Sequence, residues 1–154
     1  MYPLSKRLRL RPAPAMTYPS LHTDTKTNAR TRRLLVIDRA DDVRQTLCAQ
    51  LRAFGFDVVA ENDGMAGLSR LAGEWETDPF HGMLVELYMP VLGGLAVLQE
   101  MGERFPTVPV IAMSDVTHVA KLRQAVNLGA KEYLIKPFDA ELFRRKCRSV
   151  FLSE

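Results

Sequence analysis

Asp38, Glu86, Ser114 and Lys136 each close a short apolar run: Leu34–Ile37, Met83–Val85, Val110–Met113 and Tyr133–Ile135. Runs of this length, separated by helix-like stretches, read as parallel strands buried on both faces. In an open α/β sheet the ligand site lies beyond the carboxyl ends of the strands. The four polar residues are therefore expected at one edge of one sheet. Two carboxylates, a hydroxyl and a lysine at one place form a ligand site, and the carboxylates are candidates for acid/base work.

The elements that must position them follow from periodicity and punctuation. The first strand is Arg33–Ile37. The next helix has Asp41 and Asp42 in its first turn, where carboxylates favour the positive dipole end, and Val43, Leu47, Leu51 and Phe54 on one face. Gly55 ends it. Strand Asp57–Ala60 leads to helix Met65–Ala72, and the third strand ends at Glu86. A loop with Pro90, Gly93 and Gly94 precedes helix Leu95–Glu103. Strand Val108–Met113, helix Thr117–Asn127 stopped by Gly129, and strand Glu132–Ile135 follow. The last helix, Asp139–Leu152, turns Leu142, Phe143, Cys147, Val150 and Phe151 inward. Alternating strands and helices with right-handed crossovers give a three-layer α/β sandwich around a parallel sheet.

The 154 residues suit one domain, and 47% hydrophobic with 25% charged residues is an ordinary soluble composition. Residues 1–33 carry eight basic side chains, one acid and four prolines without apolar periodicity. They are expected to be a disordered basic arm, with residues 34–154 as the folded domain. Thirteen basic and seventeen acidic residues fall in 34–154, so the basic pI belongs to the arm. The arm reads as a solubilising tail, as an upstream start with Met16 the true one, or as a weak nucleic-acid or anionic-lipid contact. An organelle transit peptide ranks below these. No apolar run approaches a membrane span or a secretory signal, so a cytoplasmic protein is expected. Cys48 and Cys147 are too few for a disulfide framework or a zinc set and read as small buried hydrophobes. His81 and His118 stand apart from any Cys or His at metal-ligand spacing and read as surface histidines.

In these residues the chain resembles the receiver domains of bacterial response regulators. The segments that carry the resemblance are Gly129-Ala130-Lys131-Glu132-Tyr133-Leu134-Ile135-Lys136-Pro137-Phe138, Met89-Pro90 placed so that Glu86 lies four residues before the proline, Asp38, and Asp63-Gly64. The resemblance spans about residues 34–152 and is nearest to the single-domain, chemotaxis-regulator-like form. It implies a flavodoxin-like (βα)5 fold with strand order 2-1-3-4-5. It also implies a phosphorelay role in two-component signal transduction, in which a strand-three aspartate takes phosphate from a histidine kinase with the help of a divalent metal. By that resemblance Asp38 is the first acidic metal ligand and Ser114 the hydroxyl that reaches for the phosphoryl group. Lys136 pairs with that group, and Tyr133 swings inward when the site is charged. Lys136-Pro137 matches a peptide bond that is often cis in the family.

Three positions depart from the family pattern. Glu86 stands where the phosphoacceptor aspartate is expected, Arg39 where a second acidic ligand is expected, and Asp115 where a small residue is usual. A usual pocket of three acids and a lysine is neutralised by a divalent cation. Here Asp38 and Glu86 face Lys136 and Arg39, a formal charge of zero. Two carboxylates about 4 Å apart repel by about 4 kcal/mol at an effective dielectric near 20. The Arg39 guanidinium has the geometry to relieve that repulsion. No cofactor is expected, and Mg²⁺ binding should be lost unless Asp41 or Asp115 substitutes as a ligand; Asp41 more readily serves the helix start.

The first expectation is thus a non-enzymatic pseudo-receiver that acts through protein contact, without phosphorylation. Its partner would be a histidine kinase, a phosphotransfer protein or an effector. Glu86 either mimics a phosphoryl group by engaging Ser114 and Lys136, or sits in an inert ion-pair cluster. The alternative is a receiver that phosphorylates itself, Mg²⁺-dependently, at an unusual carboxylate. A flavin-binding reading fails, because Arg39-Ala40-Asp41-Asp42 after the first strand would repel phosphate. The resemblance places partner contacts on the face of helix four, strand five and helix five, with His118, Leu122, Arg123, Tyr133 and Phe138 as candidates.

Overall fold

In a computed structural model the described residues are 31–152. Nearly all of the expected arm, residues 1–30, lies outside them. Five parallel strands form one sheet: β1 (Arg33–Ile37), β2 (Asp57–Glu61), β3 (Gly82–Glu86), β4 (Val110–Asp115) and β5 (Glu132–Lys136), in the order β2-β1-β3-β4-β5. The helices are α1 (Asp41–Ala53), α2 (Gly64–Gly73), α3 (Gly94–Arg104), α4 (Lys121–Asn127) and α5 (Ala140–Phe151). This is the flavodoxin-like order.

The two-residue period of a strand explains why the central strands are apolar throughout. Leu34, Val36, Leu84, Ile111 and Met113 point to one face, where they pack with Leu47 and Leu51 of α1 and Phe143, Cys147 and Phe151 of α5. Leu35, Ile37, Met83, Val85 and Ala112 point to the other, against α2, α3 and α4. Cys48 and Cys147 are free and buried, and burial pushes the Cys147 thiol up to about 12. Gly67 of α2 lies where a Cβ would collide with the Ile37 side chain, so this helix can pack closely on β1 only with glycine there.

Local hydrogen bonds set the ends. Asp63 caps α2 by accepting from the Ala66 N–H at 2.7 Å, and Asp139 caps α5 by accepting from Leu142 at 2.7 Å. Gly55 (φ 103°) ends the turn after α1, a left-handed conformation suited to glycine.

Two boundaries differ from expectation. β4 starts at Val110, because Phe105–Val108 close a turn, and it continues through Ser114 and Asp115, which pair with Ile135 and Lys136. The helix expected from Thr117 starts at Lys121. Asp115 accepts the Thr117 and His118 N–H groups and holds Val116–His118 in a 3₁₀ turn instead. His81 is tied to the sheet: its Nδ1 accepts from the Arg33 N–H at 2.9 Å.

Candidate functional site

Asp38, Glu86 and Ser114 are the buried polar residues of the described chain, and all three lie at the carboxyl edge of the sheet. Asp38 follows β1, Glu86 ends β3, Ser114 lies near the end of β4 and Lys136 ends β5. The Lys136 ammonium donates to Asp38 Oδ2 at 2.8 Å and to Glu86 Oε1. The other oxygen of each acid is taken by backbone: Ala40 N–H donates to Asp38 Oδ1 at 3.0 Å, and Tyr88 N–H donates to Glu86 Oε2 at 3.0 Å. One ammonium thus bridges two buried carboxylates, and each carboxylate is also fixed by the loop that follows it.

Burial lowers the affinity of Lys136 for its proton, but the hydrogen bonds to Asp38 and Glu86 outweigh it and hold the ammonium above the usual lysine range. The Lys136–Pro137 bond is cis.

Gly94 sets the Glu86 backbone. A Cβ there would press on the Glu86 carbonyl and on Leu87 Cα, so α3 starts hard against the end of β3. The Gly94 N–H donates to the Leu87 carbonyl at 3.0 Å and closes the loop that contains Pro90.

Ser114 does not join the cluster through its side chain. Its hydroxyl donates to the Asp115 carbonyl at 2.8 Å. Arg39 also stands apart. It forms no ion pair with Asp38 or Glu86, and its guanidinium lies 5.1 Å from the centre of the Tyr88 ring. The charge relief expected of Arg39 is therefore absent from the contacts: Lys136 bridges the two acids, and the three side chains carry a formal charge of −1 instead of the expected zero. Asp41 pairs with Arg44 at 2.6 Å, and Arg44 also donates to the Asp38 carbonyl at 2.7 Å. Asp115 is occupied by Thr117 and by His118 Nδ1 at 2.8 Å.

Tyr88 was not singled out from sequence. Its ring stacks on His118, centroids 4.3 Å apart and planes 12° off parallel. Arg39, Tyr88 and His118 come from the loops after β1, β3 and β4, which are neighbours in the sheet, so they form a row along the edge. The i,i+3 spacing of Asp115 and His118 was a readable signal. The Tyr88–His118 contact, 30 residues apart in the chain, had none.

The candidate partner residues divide. Tyr133 is 41% exposed, and Lys146 covers its ring face at 4.7 Å. Arg123 is exposed. Leu122 is buried in the core and is no surface residue. Phe138 packs on Phe143, centroids 5.1 Å apart, and lines a groove beside α1 with Val43, Leu47 and Pro137. Trp75 lies against Phe105 at 4.9 Å, after α2 and so away from the carboxyl edge.

The model of the response regulator receiver domain matches residues 34–148. The chain belongs to the response regulator receiver family. Among curated relatives, a probable transcriptional regulator of Porphyridium aerugineum (ycf27) is 33% identical over 120 residues, covering 77% of this chain and 47% of the relative. The regulatory protein AtoC of Escherichia coli is 32% identical over 109 residues, covering 71% of this chain and 23% of the relative. The chain thus spans about half or less of these relatives' length. Among solved structures, a receiver domain protein of Clostridium thermocellum superposes with a TM-score of 0.71 at 24% identity, covering 77% of this receiver and 92% of that chain. The chemotaxis protein CheY4 of Vibrio cholerae gives 0.67 at 23% identity, covering 79% and 99%. These likenesses carry the fold.

Proposed function

We propose that this receiver signals by protein contact without accepting a phosphoryl group. The observation that carries the reading is the closed cluster: both oxygens of Glu86 and both of Asp38 already have donors, with Lys136 shared between the two acids. Phosphoryl transfer rests on positioning and charge neutralisation, usually through a cation that bridges oxygens. A divalent cation does not fit this donor set. Its place beside Asp38 is taken by an ammonium, Arg39 stands at the second acid's position, and Asp41 and Asp115 are engaged elsewhere. Among the described residues no three His, Cys, Asp or Glu side chains group as ligands.

Between an inert cluster and a phosphoryl mimic, two features favour the inert one. Glu86 engages Lys136 but not Ser114, whose hydroxyl is turned to a backbone carbonyl, and Tyr133 lies outward. The partner is a protein of a two-component pathway: a histidine kinase, a phosphotransfer protein or an effector. No described helix is long and apolar enough to cross a membrane.

Calorimetry with Mg²⁺ tests the charge argument. The native chain is expected to give no binding heat, and Arg39→Asp with Glu86→Asp together to restore it. Mg²⁺ binding to the native chain would contradict the reading.

A further inference from the structure

An apolar cleft and unpaired acids meet beside α1. Val43 and Leu47 of α1 line a groove of about 290 Å³ with Pro137 and Phe138. Asp42 lines the same groove, Asp139 follows Phe138, and Glu141 lies in the first turn of α5. All three acids are exposed and have no ion-pair partner among the described residues. In Asp42 and Asp139 one oxygen accepts a backbone N–H, at 2.8 Å and 2.7 Å, and the other has no partner among the described residues. Lys136 also lines the groove, but its ammonium is committed to Asp38 and Glu86. Other acidic places are already paired: Asp57, Glu74 and Asp78 with Arg33, and Glu61 with Arg70. Two further grooves carry a cation instead. Arg123 joins Val119 and Val126 in one of about 450 Å³, and Lys131 joins Met101 and Phe105 in another of about 240 Å³.

The same chain contains a segment of matching chemistry. Leu4–Arg11 holds three leucines (Leu4, Leu8, Leu10), four basic residues (Lys6, Arg7, Arg9, Arg11) and no acid. The nineteen residues 12–30 separate it from the described chain. At 3.3–3.6 Å per residue they span up to about 60 Å, whereas a domain of this size has a radius of gyration of about 14 Å, so reach sets no limit. We propose that Leu4–Arg11 docks in this groove of its own molecule, with leucines on Val43, Pro137 and Phe138 and basic side chains on Asp42, Asp139 and Glu141. Charge complementarity selects this groove over the two that carry a cation. Tethering gives the segment an effective concentration on the order of millimolar, so a contact too weak to hold a free peptide is populated within one chain. A docked arm covers Pro137 and Phe138, next to the lysine that bridges Asp38 and Glu86. A protein that approaches the corner between α1 and α5 must therefore displace the arm, and the receiver masks part of its own surface.

The test places a nitroxide on the full, isotopically labelled chain at Ser5→Cys, where Cys48 and Cys147 are buried and stay unlabelled. In dilute solution the amide signals of Asp42, Val43, Thr46 and Phe138 are expected to broaden more than those of Lys121 and Arg123. Added salt should reduce the preference, because the pairing charges are exposed. Arg9→Glu with Arg11→Glu should abolish it, and adding Asp42→Lys with Thr46→Lys, both exposed on α1, should restore it. Five outcomes would overturn the proposal. The native chain could show no preferential broadening. Broadening could centre on Asp57 and Asp78, placing the arm on the β2 edge. It could survive Arg9→Glu with Arg11→Glu, removing charge as the selector. It could be as strong when the nitroxide sits only on unlabelled chains mixed with labelled ones, marking a contact between copies. An added basic peptide could shift the groove amides while the tethered arm leaves them untouched, marking a site for another protein. A phosphoryl adduct on Glu86 would overturn the preceding section and leave this map unchanged.

Discussion

Lys136 is the residue on which the site depends, because among the described residues it is the cation that pairs with both Asp38 and Glu86, which are buried. Removing one partner of a buried ion pair leaves charge uncompensated and costs about 3–5 kcal/mol. Lys136→Ala should therefore lower the unfolding free energy measured in urea by that order. Adding Asp38→Asn and Glu86→Gln should recover much of the loss, since neutral amides need no ammonium. The pH dependence has a definite sign. Lys136 is held above its ordinary value near 10.5, so its contribution is complete below that pH and is lost as pH rises through the higher folded value. Native chain should lose stability above about pH 10.5, and the Lys136→Ala chain should lose less there. Asp115 shows the opposite case. Hydrogen bonds from Thr117 and His118 hold it down to about 2 from 3.8. Its contribution is present above about 3.8 and fades as pH falls towards 2, so Asp115→Asn should flatten that part of an acid titration of the melting temperature. At this scale the sequence was partly legible. Asp38, Glu86 and Lys136 meet because strand ends share an edge. The direction of Arg39 was not legible, since an exposed loop side chain follows whichever neighbour the next loop brings, here Tyr88.

Helices and strands position these groups through a few close approaches. Gly94 fixes the Glu86 backbone and Gly67 seats α2 on Ile37. Gly67→Ala and Gly94→Ala should each cost about 1–3 kcal/mol by overpacking, measured by urea unfolding. Only Gly94→Ala should also change the shifts of Glu86 and Lys136, because only that glycine touches the end of β3. Strand existence was readable from apolar runs, and strand order from the family resemblance. The C-terminal end of β4 was not, because the apolar run closes at Met113, whereas Ser114 and Asp115 continue to pair with β5. The start of α4 was missed because Asp115 captures the Thr117 and His118 N–H groups in a tighter turn.

For the whole molecule, the receiver fold is shared with relatives that are longer than this chain, and the fold by itself selects no activity. This receiver has an internally hydrogen-bonded acidic site at one end of the sheet and a basic, partly apolar side along β5. The most direct measurement of the central claim is intact mass after exposing the native chain to a small phosphodonor with Mg²⁺. The account predicts an unmodified mass at all times. A phosphoryl adduct that forms only with Mg²⁺ and disappears in Glu86→Ala would contradict it.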